Sequence, residues 1–166
     1  MVMKDLLEIL QMQEEILQFT HFTNSDAWEL GNIIVAQGKK LGAEIAIRIR
    51  LNNGYTVFQC GFDGTNLLNE DSLRKKENTV RVSEHSSLHM WALVKETENA
   101  VEEELLDVTE YAICGGCFPI RVEEVGVIGT IAVSGIDHVS DHDLLIKCIS
   151  RYLHVDEIPR IRAESF

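Results

Sequence analysis

The chain has 166 residues, 45% of them hydrophobic and 25% charged, with a formal net charge of −12. That length suits one domain with a core of its own, expected to span residues 1–166, and the acidity argues against nucleic acid or an anionic membrane as a partner. No apolar run reaches the ~20 residues of a bilayer span, and residues 1–18 set Lys4 among Asp5, Glu8, Glu14 and Glu15, unlike a signal or transit peptide, so a cytoplasmic location is expected.

In chain order, residues 5–19 place Leu6, Ile9, Leu10, Ile16 and Leu17 at helical spacing. Asn24 or Ser25 is placed to cap a second helix with the stripe Ala27, Leu30, Ile34, Val35 and Leu41. Gly31 and Gly38 lie near that stripe, which calls for close packing on a sheet, and Gly42 ends the helix as its C′ residue. Glu44 to Leu51 alternates, with Ile45, Ile47, Ile49 and Leu51 on one side and Glu44, Arg48 and Arg50 on the other, predicting a half-buried strand. Asn52-Asn53-Gly54 predicts a hairpin turn, and residues 55–61 the returning strand. Residues 65–82 read as a polar helix, 86–96 as another with Leu88, Trp91 and Ala92 inward, and 99–110 as an acidic short helix with a loop.

Five of the eleven glycines then fall between Gly115 and Gly135, interleaved with β-branched residues, which predicts strands whose backbones need close approach or positive φ. Ser140 is placed to cap a last helix over 141–153, with Leu144, Leu145, Cys148, Ile149 and Tyr152 inward; residues 156–166 read as a tail beyond a 5–155 core. Hairpin-linked strands with helices between the pairs predict an α/β (α+β) domain, an antiparallel sheet flanked by helices.

The basic cluster Arg74-Lys75-Lys76, with Arg81, His85, Ser86 and Ser87 downstream, stands out in an acidic chain. Guanidinium, ammonium and hydroxyl groups together suit a carboxylate or phosphate ligand; the alternative is a solvated helix face balanced by Glu70, Asp71 and Glu77. Gly115-Gly116 exposes backbone N–H groups of the kind that form anion nests, and convergence of that turn with Arg74 and Ser86 would make a shared recess.

His85 and His89 stand four apart, as do His138 and His142 among Asp137, Asp141 and Asp143; either pair with a carboxylate suits a divalent metal, although the helix dipole alone accounts for the aspartates. His85 or His89 beside Arg81 is also a candidate axial ligand for haem. Cys114 and Cys117 have the spacing of a redox dithiol or half a zinc site, but they lie between strands and no second CxxC follows, so packing is the favoured reading of the four cysteines. Glu102-Glu103-Glu104 reads as solvated surface, weak iron binding by such carboxylates being the disfavoured alternative, and Ser134-Gly135 lacks the Gly-x-Ser-x-Gly elbow of a nucleophile.

Gly115-Gly116-x-Phe118-Pro119-Ile120, then Gly126-x-x-Gly129-x-Ile131-x-Val133-Ser134-Gly135, then Asp141-His142, resembles the GlcG-like or haem-degrading-domain superfamily of HbpS. Leu73-Arg74-Lys75-Lys76-x-Asn78-x-Val80 followed by Ser86-Ser87 is similar to its subgroup, uncharacterised protein family 0303. The resemblance implies a profilin-like domain with a five-stranded antiparallel sheet and helices on both faces, the fifth strand falling within 111–123, and it implies homo-oligomers. Relatives bind haem, corrinoid-linked partners or iron at surface carboxylates. It carries over no catalytic residue; it marks Arg74, Lys75, Ser86, Ser87, Gly115, Gly116, Phe118 and Pro119 as pocket or subunit-contact positions. Cys117 stands where family members usually have a small residue. The expected function is an oligomeric small-molecule-binding module, with haem binding or degradation, or a structural place in a larger complex, as alternatives.

Overall fold

The sheet runs β2 (Thr56–Gly61), β1 (Ala46–Leu51), β4 (Gly126–Ser134), β3 (Cys117–Val122), with every neighbouring pair antiparallel. It belongs to a computed structural model that describes residues 2–97, 105 and 107–162. Helices α2 (Asn24–Lys40) and α5 (His138–Tyr152) cover one face. Their side chains close over Ile45, Ile47, Ile49, Phe118, Ile131 and Val133, the main core. Gly31 lets α2 lie flat on β2, since a Cβ there would enter the Phe58 ring. Helix α3 (Leu67–Ser83) covers the other face through Leu73 and Val80 against Ala46, Cys117 and Ala132. Helices α1 (Met3–Ile16) and α4 (Ser87–Thr97) pair with each other, and α4 reaches β3 and α5; Leu6, Leu10, Leu88 and Ala92 form a second small core there.

The order of elements and the helix-flanked antiparallel sheet follow the expectation, but among the described residues the sheet has four strands, not five. Residues 111–116 form no strand: Gly116 turns at φ +123° and Ala112 N–H is drawn to Lys75 O. A single rung extends the sheet from elsewhere: Phe19 bridges Val122 in parallel, its N–H donating to Arg121 O and its carbonyl accepting from Glu123 N–H.

Strand β1 is covered on both sides, not one. Its alternation is real, yet Arg48 is 5% exposed, because α3 brings Glu77 and Glu70 to its guanidinium. The helix starts shift as well: Thr23 caps α2 in a capping box with Asp26, and Asp137 caps α5. The expected tail packs down. Ile161 is buried with Leu6 and Leu10, Arg160 makes a bidentate pair with Asp143, and Pro159 O accepts from Gln13. The acidic run Glu102–Glu104 lies outside the described residues, and no helix among them is long and apolar enough to cross a membrane.

Candidate functional site

Helix α3 positions the charged residues by phase. It starts in a capping box between Asn66 and Asn69 and runs to Glu84, a left-handed C-cap. Leu73, Lys76, Glu77, Thr79 and Val80 face inward. Arg74, Asn78 and Arg81 face a groove of about 350 Å³ whose far wall is Arg50 and the Asn52–Gly54 turn. Arg74 pairs with Asp71 at 3.0 Å and Glu110 at 3.3 Å, and the Asp71 hydrogen bond leads in raising its pKa. Lys75 is not in the groove; it pairs with Asp71 at 3.3 Å. A wider groove of about 760 Å³ adjoins through Arg50 and Arg74, floored by Arg48 and flanked by Leu67 and Leu68, which are 80% and 78% exposed.

The glycine turn does meet α3, but through Lys76 and without a recess. Lys76 Nζ donates to Val133 O at 2.9 Å and pairs with Asp141 at 3.2 Å, directly beside Gly116. Burial pushes the Asp141 carboxyl up to about 6 in spite of Lys76. Of the Gly115-Gly116 pair expected to form a nest, Gly115 N–H donates internally to His138 Nδ1 at 3.0 Å, and the adjoining Cys117 N–H donates to Ser87 Oγ at 3.0 Å. Ser86 Oγ accepts from His89 N–H at the start of α4, so both serines are structural partners inside the fold. Phe118 lies in the main core and Pro119 pairs with Thr130 in the sheet. Of the expected site residues, Arg74 alone lines the groove; Lys75, Ser86, Ser87, Gly115, Gly116, Phe118 and Pro119 do not.

The histidines separate into two groups. His85 and His89 converge on Glu14 of α1: Glu14 Oε1 is 3.0 Å from His85 Nδ1, and Oε2 contacts His89 Nδ1. Burial works to raise the Glu14 carboxyl, but the hydrogen bonds of His85 and His89 outweigh it and hold the group low. His138 and His142 do not converge. His138 serves Gly115 and packs against Trp91, while His142 is fully buried with Nε2 2.7 Å from Gln13 Oε1 and its Nδ1 without a hydrogen-bond partner. Burial lowers the His142 pKa to about 4, so its ring is neutral. The nearby carboxylates are committed: Asp137 caps α5, Asp141 holds Lys76 and Asp143 holds Arg160. Burial raises the thiol pKa of both Cys114 and Cys117, which disfavours a reactive thiolate at either.

Sequence reasoning missed Arg50, the Asn52-Asn53 wall and Glu14. The signals were present. Arg48 and Arg50 share a strand face, and the Leu6, Leu10, Leu17 spacing puts positions 13 and 14 on the buried side of α1.

The comparisons with known proteins agree with this architecture. The family model described as haem degrading protein HbpS-like matches residues 22–150. A UPF0303 protein of Yersinia enterocolitica is 35% identical over 154 residues, covering 92% of this chain and 91% of its own length. Among solved structures, Ybr137w superimposes with a TM-score of 0.80 at 27% identity, covering 91% of this chain and 90% of its own. The PduOC:heme complex superimposes with a TM-score of 0.68 at 16% identity, covering 78% and 93%, a likeness of fold. With the fold, the glycine-rich strands and the family match in agreement, the chain belongs to the HbpS-like family of haem-degrading-type proteins.

Proposed function

We propose that this chain is a cytoplasmic small-molecule-binding module that takes an anionic ligand, a carboxylate or phosphate, in the groove between the β1–β2 turn and α3. One observation carries the reading: three guanidinium groups, Arg50, Arg74 and Arg81, line a single cavity of about 350 Å³ in a chain of net charge −12. Planar guanidinium forks match carboxylate and phosphate oxygens. Among the described residues Arg50 donates from Nε to Gly54 O and Arg81 makes one long contact with Asn78, so most of their donors face outward demand. An entering anion competes with Glu110 for Arg74; Glu77, paired with Arg48, also lines the groove, and the Asn52 and Asn78 amides there donate to Val127 O and Glu110 O until a ligand draws them. Among the described residues no acid–base pair or nucleophile lines the groove in a catalytic arrangement, and binding is the activity proposed. Exposed Leu67 and Leu68 beside the groove support self-association.

Citrate and inorganic phosphate, titrated by calorimetry, test the groove. Saturable binding that weakens more than about tenfold in Arg74→Ala and in Arg81→Ala supports it. Equal binding in wild type and both variants rejects it. A monomeric mass by light scattering rejects self-association.

Haem fits less well. The arginines of the wider groove suit propionates, but among the described residues no His, Cys, Met or Tyr lines either groove to serve as an axial ligand. His85 borders a separate hollow of only about 280 Å³. Hemin titration without a sharpened Soret band is the expected result.

A further inference from the structure

One cluster unconnected to the arginine groove joins three segments of the chain. Glu14 on α1, His85 in the connection after α3 and His89 on α4 each offer a donor atom, and the three atoms lie within 4.8 Å of one another. We propose that these side chains form a binding site for a divalent first-row transition metal of the zinc class, open on one side to an exogenous fourth ligand.

Two imidazoles and one carboxylate are the donor set that zinc and its neighbours accept when one coordination position is left free. Bonds of ~2.0–2.2 Å in tetrahedral geometry put donors roughly 3.3 Å apart. Glu14 Oε1 and His85 Nδ1 are already 3.0 Å apart, and the two imidazole rings lie 4.2 Å apart, tilted by 31°. Small side-chain movements would bring the three donors onto one ion and leave the fourth position open. The enclosure is one-sided. Glu14 and His89 are buried at 5% and 9% side-chain exposure, whereas His85 is 40% exposed. On that open side a hollow of about 280 Å³ touches both Glu14 and His85. Arg121 lines the same hollow and donates to Glu84 O, so an anionic fourth ligand, hydroxide or a carboxylate, meets a guanidinium there.

Glu14 accepts from both Nδ1 atoms and from Ser86 N–H. On metal entry the coordinating ring nitrogens give up their protons, to the other ring nitrogen of a neutral imidazole or to solvent from an imidazolium, so affinity rises with pH. The metal also ties α1 to α4 across the small core of Leu6, Leu10, Leu88 and Ala92, so binding raises the melting temperature.

The full chain, stripped with EDTA, is titrated with Zn²⁺ by calorimetry and with Co²⁺ followed by its visible d–d absorption. The expected result is one metal per chain, low-symmetry Co²⁺ bands, and affinity weakened more than about tenfold in Glu14→Gln, His85→Ala and His89→Ala. His21→Ala, an exposed histidine, leaves binding unchanged. No saturable binding, or binding undiminished in His85→Ala and Glu14→Gln, overturns the proposal. His85 is half-exposed, so that variant stays decisive even where His89→Ala fails to fold, as circular dichroism would show.

Discussion

The two faces of α3 carry the same residue types and use them differently. Lys75 and Lys76 are chain neighbours about 100° apart on the helix. Lys76 is 3% exposed, bonded to Val133 O and paired with Asp141; Lys75 leans on Asp71 at the surface. Glu77 is buried on Arg48, while Arg74 and Arg81 stand at the groove. A charge on the inner face is an internal connector whose loss strands a partner. A charge on the outer face remains available to a ligand. The basic cluster that draws attention in the sequence is therefore two devices in one helix.

The sharpest break of this contrast is Lys76→Met. It leaves the Asp141 carboxylate buried without its cation and is expected to cost about 3–5 kcal/mol in urea unfolding, whereas Lys75→Met costs less than about 1 kcal/mol. Equal losses would erase the distinction between the faces.

Next in size is a pH effect behind the inner face. The unfolded chain protonates His142 near its ordinary 6.5, but the folded chain resists to about 4. Between those values the unfolded state holds more protons, and stability rises with pH. Asp141 opposes this: its folded value of about 6 exceeds the ordinary 3.8, so the folded state holds the extra proton and stability falls as pH rises through the same range. His142→Gln removes the first effect and keeps the second. Relative to wild type its stability should therefore improve by up to about 3 kcal/mol as the pH falls from 6.5 to 4, with no relative change above 6.5, read from unfolding curves at stepped pH.

Gly115→Ala follows. Its Cβ would collide with the His138 carbonyl oxygen, a backbone atom that cannot swing aside, and the expected loss is about 1–3 kcal/mol by thermal or urea unfolding. A neutral outcome would mean that the turn has room and that the recess is not filled. The smallest stability change belongs to Arg81→Ala on the outer face, within about 0.5 kcal/mol, with its effect confined to anion affinity.

Much of the architecture was legible. The 3.6-residue stripes of α2 and α5, the alternation of β1, the Asn-Asn-Gly turn and the glycine-rich strands are local patterns, and local patterns report which side of an element is apolar. The pairing of Phe19 with Val122 was not legible, because a single bridge leaves no periodicity. The site was half legible. Arg74 and the His85–His89 pair were visible as residues. Their partners, Arg50 and Glu14, sit 24 and 71 positions away, and chain distance carries no sign of spatial approach.

The sequence by itself determined the family, the helix-and-strand order and the amphipathic faces, since these follow from side-chain chemistry repeated at the period of each element. Only the tertiary structure decided which charges point inward. Helical phase against the second face of the sheet buried Lys76 and Glu77 and left Arg74 and Arg81 beside the groove, and the docking of α1 on α4 brought one carboxylate between two imidazoles. Burial of a charge is a property of what packs over it, and that partner is supplied by another part of the chain.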